Sequence, residues 1–278
     1  MATTTLAPTT APPELAAFLE EMRIIVDREL DRRLKPPPVE DDPGKLALAM
    51  HYAATGPGKR LRPAMVLAAA EACGGSREAA LPAAVALEML HAYTLVHDDL
   101  PAMDDDDERR GRPTVHIAFG EAIAILAGDG LLTEAFALLS ELGPRASDAV
   151  RVLARRSGAH ELLKGQAIDL TQPPKGMQQI ERLHAAKTGA LFAAAGELGA
   201  IAANASPAVC AALGRYGMAI GIAFQHADDR DDAELVDTAA AAAQRMRELC
   251  ADARREIVQL GPKAAHLDSI AQWINARA

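Results

Sequence analysis

Residues 85–96 read Val-Ala-Leu-Glu-Met-Leu-His-Ala-Tyr-Thr-Leu-Val, a mostly apolar run that suits a buried helix rather than a surface one. The next fifteen residues, His97 to Gly111, hold seven acids and two arginines. The end of such a helix delivers Asp98 and Asp99 to one spot, with further carboxylates one turn on. Crowded carboxylates repel and do not all stay ionised without cations. Oxygen clusters of this kind suit Mg²⁺, which takes one or two carboxylates plus substrate phosphates. A solvated acidic loop is the competing reading of any charge run.

A second stretch repeats the logic. Gly221-Ile222-Ala223-Phe224-Gln225-His226-Ala227-Asp228-Asp229-Arg230-Asp231-Asp232 is again an apolar helical run ending in paired aspartates. Asp228 and Asp232 share a helix face, and Gln225 lies on it three residues before Asp228. One such motif is weak evidence. Two, 130 residues apart from Asp98 to Asp228, predict helices that face each other across a cavity and hold divalent ions around one diphosphate.

The rest of the chain predicts an all-α fold: a single-domain bundle of about ten or more helices around a central cavity. Half of the 278 residues are hydrophobic and only 3% are aromatic, so closely packed helices fill the core. There is no sustained alternation and no hairpin signal such as Asn-Gly. Residues 1–11 read as a disordered tail and 12–278 as the helical domain. A first helix runs from Pro12-Pro13 to about Leu34, Asp42-Pro43 opens another, and residues 77–100 form the central one. Further helices are expected over 118–141, 146–170, 178–203 and 206–230, with breaks at Gly143-Pro144, Pro173-Pro174 and Ser206-Pro207. The net charge of −9 argues against nucleic acid as a partner. Cys73, Cys210 and Cys250 are scattered and read as reduced residues of a cytoplasmic protein. No stretch is apolar without interruption for about 18 residues, so no membrane span is expected.

Several motifs, in order, resemble the trans-type isoprenyl diphosphate synthases, and most of all the bacterial farnesyl diphosphate synthases. They are Gly58-Lys59-Arg60-Leu61-Arg62-Pro63, His91 through Asp104, Arg109-Arg110-Gly111, Gly165-Gln166-Ala167-Ile168-Asp169-Leu170, Lys187-Thr188-Gly189 and Phe224-Gln225 through Asp232. The resemblance covers roughly residues 12 to 235.

It implies head-to-tail prenyl transfer. Asp98, Asp99, Asp104, Asp228, Asp229 and Asp232 would hold about three Mg²⁺ ions, with Mn²⁺ as a substitute. Arg109 and Lys187 would help the allylic diphosphate depart. Lys59 and Arg62 beside the Gly58 loop, with His91 and Arg110, would bind isopentenyl diphosphate. Thr188 and Gln225 would steady the allylic cation, and Gln166 and Asp169 would line the cavity. Tyr93, five residues before Asp98 and so roughly 7–8 Å back along the helix, would cap the cavity with Thr94 and stop growth at farnesyl length. A homodimer is also implied.

The match fails after Asp232. The family's Gly-Lys-x-Thr-x-Pro loop is missing, and an alanine run, Ala239 to Ala243, follows instead. Arg230 and Asp231 stand where the family usually has apolar residues, and Arg230 is expected to pair with Asp231 or Glu234. Three other readings stay open: a geranylgeranyl diphosphate synthase, a non-catalytic partner subunit, and a terpene cyclase. The cyclases' second motif, Asn/Asp-x-x-Ser/Thr-x-x-x-Glu, is not what Asp228-Asp229-x-x-Asp232 spells.

Overall fold

A proline opens the first helix and a proline run follows it. In α1 (Pro13–Arg33), Pro13 sits at the first helical position, where its missing N–H costs nothing. Leu15, Phe18, Met22, Val26 and Leu30 form its buried stripe at spacings of three and four. The structure, a computed structural model, describes residues 11–172, 174–231 and 239–278. Nearly all of the predicted tail, Asp232 and the departure beyond it up to Thr238 lie outside them. Among the described residues there are thirteen α-helices, and the only sheet is a pair of two-residue strands.

Next come α2 (Leu46–Ala54), α3 (Leu61–Ala72) and α4 (Arg77–Asp98). The α2 helix starts later than its proline suggested, because Val39–Asp41 forms a 3₁₀ turn and Lys45 takes positive φ. Ser76 caps α4 by accepting from the Ala79 N–H at 3.2 Å. From Ala80 to Val96 this helix is almost wholly buried, as its apolar run demands.

The acidic stretch folds back on the end of α4. The Asp104 N–H donates to the Asp98 carbonyl at 2.8 Å and that of Asp106 to the Asp99 carbonyl at 3.3 Å. These bonds satisfy carbonyls that a helix end leaves unpaired. A small hairpin follows, with Arg109 paired to Arg112 and Glu108 to Pro113. Arg110 and Gly111 both take positive φ, as in a type I′ turn. The sequence reading had no signal for this hairpin, since arginine is an unusual first residue of such a turn.

The second half holds α5 (Val115–Phe119), α6 (Glu121–Leu139), α7 (Ala146–Ser157), α8 (Leu162–Thr171) and α9 (Met177–His184). A π-helical turn, Ala185–Gly189, leads into α10 (Ala190–Ala202). Then follow α11 (Pro207–Asp231), α12 (Ala239–Ile257) and α13 (Ala265–Asn275). The span predicted over 206–230 is one helix, α11, while the other three long spans predicted here are divided. Gly120 at φ 90° separates α5 from α6, and the turn after Gly158 separates α7 from α8.

The buried layer is α3, α4, α10 and α11. Small residues let these helices approach closely. A methyl added at Gly217 would lie 2.1 Å from the Phe192 carbonyl oxygen, and one at Gly221 would lie 2.7 Å from the Gly189 Cα. By length and mean hydropathy, the stretches 77–98, 121–171 and 207–230 are apolar enough to cross a bilayer, a broader test than unbroken apolar runs. In α4 and α11 most of that apolar surface is buried in the fold. On α5 and α6, Ile117, Ile125 and Leu126 remain exposed.

Candidate active site

The end of α4 carries the first acidic cluster. Asp98 faces a cavity of about 250 Å³ lined also by Tyr93, Thr94, Gln166, Lys187, Thr188 and Leu191. Among the described residues its carboxylate accepts no hydrogen bond and pairs with no cation, and the same holds for Asp104. Burial, with Asp104 and Asp99 adding to it against Lys187 and Arg109, pushes the Asp98 carboxyl up to about 6. An unpaired, half-buried carboxylate beside two others is a place for a cation.

Asp99 behaves differently. It is buried, and Arg109 Nε and Nη2 both reach its Oδ1 at 2.6 Å. It faces the far side of α4 from the Asp98 cavity, so its carboxylate orients Arg109.

Cations collect in an adjoining cavity of about 640 Å³, lined by Gly58, Lys59, Arg62, His91, Arg110, Gln225 and Asp228 among others. Arg62 and His91 line both cavities, so the chambers holding Asp98 and Asp228 adjoin at these two side chains and together make up the hollow. Arg62 Nη1 donates to His91 Nε2 at 3.2 Å. Burial lowers the Arg62 guanidinium to about 10, and burial with the nearby arginines holds His91 well below its usual range. His91 is therefore neutral at pH 7. Arg110 is lowered too, by burial and then by Arg60 and Arg109. Buried positive charges that repel each other call for an anion. Arg110 reaches back to the Pro57 carbonyl at 2.8 Å, and a side chain at Gly58 would meet it at 2.8 Å. Arg60 turns inward, held by Asp27 and Glu88 at 2.7 Å each, and takes no part in the cavity's anion-binding face.

Lys187 sits in the π-helical turn, a feature that marks functional positions in helices. Its ammonium pairs with Asp169 at 2.5 Å and borders the Asp98 cavity. From the next residue a chain of bonds crosses to α11. Thr188 donates to Gln225 at 2.9 Å, Gln225 donates to Asp229 Oδ1 at 2.7 Å, and His184 Nε2 meets Asp229 Oδ2 at 2.9 Å. Both oxygens of Asp229 are thus engaged by protein. Asp228 instead accepts from Arg277 at 2.7 Å.

The sequence reading missed His184 and Arg277. Neither lies in an acidic or basic run, and only the fold brings them to α11. Tyr93 lines the Asp98 cavity, and its ring packs edge-on against His97 at 5.1 Å. His97 Nε2 is in turn fixed by the Ile125 carbonyl at 3.0 Å. Thr94 turns its hydroxyl to the His91 carbonyl at 2.7 Å.

Among the described residues no three histidine, cysteine or acidic side chains converge into a ready-made metal cage. The donors facing the hollow are hard carboxylate oxygens, which fit Mg²⁺ held partly by substrate phosphates. Fold and site together define a class: an all-helical protein with unpaired carboxylates and clustered cations lining adjoining cavities among its central helices.

The comparisons agree. The polyprenyl synthetase family profile matches residues 43–258. Farnesyl diphosphate synthase of Geobacillus stearothermophilus is 40% identical over 225 residues, 78% of this chain and 75% of that one. Its Escherichia coli K12 counterpart is 43% identical over 227 residues, 78% and 74%. The apo structure of an FPP/GFPP synthase from Zymomonas mobilis superposes with a TM-score of 0.86 at 38% identity, covering 94% and 99% of the two chains. This chain belongs to the polyprenyl synthetase family.

Proposed function

We propose that the chain condenses isopentenyl diphosphate with an allylic diphosphate, dimethylallyl or geranyl, to give farnesyl diphosphate and free diphosphate. The observation that carries this reading is the half-buried Asp98, unpaired among the described residues, in a cavity it shares with Lys187 and Tyr93 and beside a second, cation-lined cavity. Farnesyl diphosphate synthases among the relatives support it.

Asp98, Asp104 and Asp228 are the ligands of about three Mg²⁺ ions in this reading, with Mn²⁺ able to replace them. The bound metal offsets the charge that builds on the departing diphosphate. Asp99 and Asp229 act through others: Asp99 aims Arg109, and Asp229 aims Gln225 and Thr188. Lys187 and Arg109 hold the allylic diphosphate. Lys59, Arg62 and Arg110 hold isopentenyl diphosphate, with neutral His91 positioning Arg62. The apolar cavity keeps water from the allylic cation. The proton lost after carbon–carbon bond formation goes to diphosphate.

The exposed Ile117, Ile125 and Leu126 suit a homodimer, and three free cysteines suit the cytoplasm. The test is product chromatography from labelled isopentenyl diphosphate with Mg²⁺ and each allylic primer. Farnesyl diphosphate is expected, and Tyr93→Ala should lengthen it. A geranylgeranyl product from the wild type, or no turnover by the purified chain, would refute the reading.

A further inference from the structure

Two features of the chain's last described residues meet at the second acidic cluster. Arg277 lies two residues past α13. Its Nη2 donates to Asp228 Oδ1 at 2.7 Å, and its side chain is only 4% exposed. The guanidinium lies 5.5 Å from the Phe224 ring centre, and Lys59 Nζ lies 5.6 Å from the same centre. Arg230, which departs from the family pattern, anchors this segment. Its Nη1 donates to the Arg277 carbonyl at 2.7 Å and to the Ala278 carbonyl at 3.2 Å. Thus α11 holds the segment twice, by backbone through Arg230 and by side chain through Asp228.

A charge-assisted bond to a buried guanidinium is strong and directional. It fixes the Asp228 carboxylate and neutralises it. A metal ion joining the same carboxylate brings a second cation within a few ångströms of the first, and the two repel. We infer that Arg277 is the resident counter-ion of Asp228 and is displaced when a divalent cation and diphosphate bind. The inference rests on the metal-site reading above. It makes metal uptake at Asp228 an exchange of one cation for another, coupled through Arg230 to the segment after α13.

The test is Mn²⁺ binding to the full chain with inorganic diphosphate, read by the electron paramagnetic resonance signal of free Mn²⁺. Arg277→Met keeps the bulk against Phe224 and removes the charge. It should bind its weakest Mn²⁺ about tenfold more tightly than the wild type. Arg277→Lys should return most of the way to wild type. Arg230→Met, which frees the anchored backbone, should shift binding the same way by a smaller factor. The Mg²⁺ concentration for half-maximal turnover should fall in parallel. Unchanged or weaker Mn²⁺ binding in Arg277→Met overturns the inference, even if thermal stability drops. Asp98→Asn separates the two ideas. If the wild type takes up no more Mn²⁺ than Asp98→Asn, the metal-site reading fails. If Asp98→Asn loses Mn²⁺ and Arg277→Met does not change it, only the counter-ion reading fails.

Discussion

The two acidic helix ends have similar composition and opposite states. At the end of α4, Asp98 and Asp104 have no hydrogen-bond or ion-pair partner among the described residues, and Asp98 carries the cost of its burial. At the end of α11, Asp228 is already matched by Arg277, and Asp229 by His184 and Gln225. Asp229 is accordingly held below the usual carboxylate range, its bonds to His184 and Gln225 outweighing burial, which is the largest single effect and acts the other way. One cluster waits for charge, and the other has charge supplied from within. A pair of aspartates in the sequence therefore says where acid sits, while its partners decide whether it can accept a metal.

The largest test of this contrast is Asp98→Asn. Loss of a metal-facing carboxylate should cut kcat/KM by about 10²–10³-fold, measured with isopentenyl and geranyl diphosphates. A fall of less than tenfold would break the contrast. Asp229→Asn should cost much less, about tenfold, because that carboxylate works through Gln225 and His184. Equal losses at the two positions would mean that Asp229 is itself a ligand.

The same Asp98→Asn variant should be more stable without metal. The Asp98 carboxyl rises from 3.8 to about 6 on folding, so the native state favours its protonated form. That contribution is present below pH 3.8 and lost as pH rises through 6. At pH 8 the ionised group therefore destabilises the metal-free protein, and the asparagine should gain about 2–3 kcal/mol in denaturant unfolding. The gain should vanish below about pH 4. A gain that persists there would assign it to packing instead of charge.

The smallest expected effect is at His226. It is fully buried, neither ring nitrogen has a hydrogen-bond partner among the described residues, and burial lowers its imidazolium to about 4. His226→Leu should raise stability by about 1 kcal/mol in thermal unfolding. A loss would show that its edge-on contact with His184, at 4.7 Å, supports Asp229.

Much of this was legible in the residues. Proline and glycine marked most helix ends, and apolar runs before acid clusters marked the helices that build the hollow. Local patterns did not reveal breaks inside apolar stretches, such as Gly120 or the π-helical turn at Lys187, and the latter is a turn against which α8 and α11 both pack. Partners distant in sequence were hidden as well. Arg230 reaches 47 residues onward, to the Arg277 carbonyl, while its expected partners, the Asp231 side chain and Glu234, lie outside the described residues. Asp229 looked like a ligand because its type and spacing are those of one. Only the approach of α9 shows what holds it.

The close crossing of α10 and α11 has a mechanical consequence. With no room for a methyl at Gly217 or Gly221, the backbones bearing Lys187 and Asp228 form a rigid gauge of one width. Any change in the span between them must then come from side chains, not from a shift of the two helix axes.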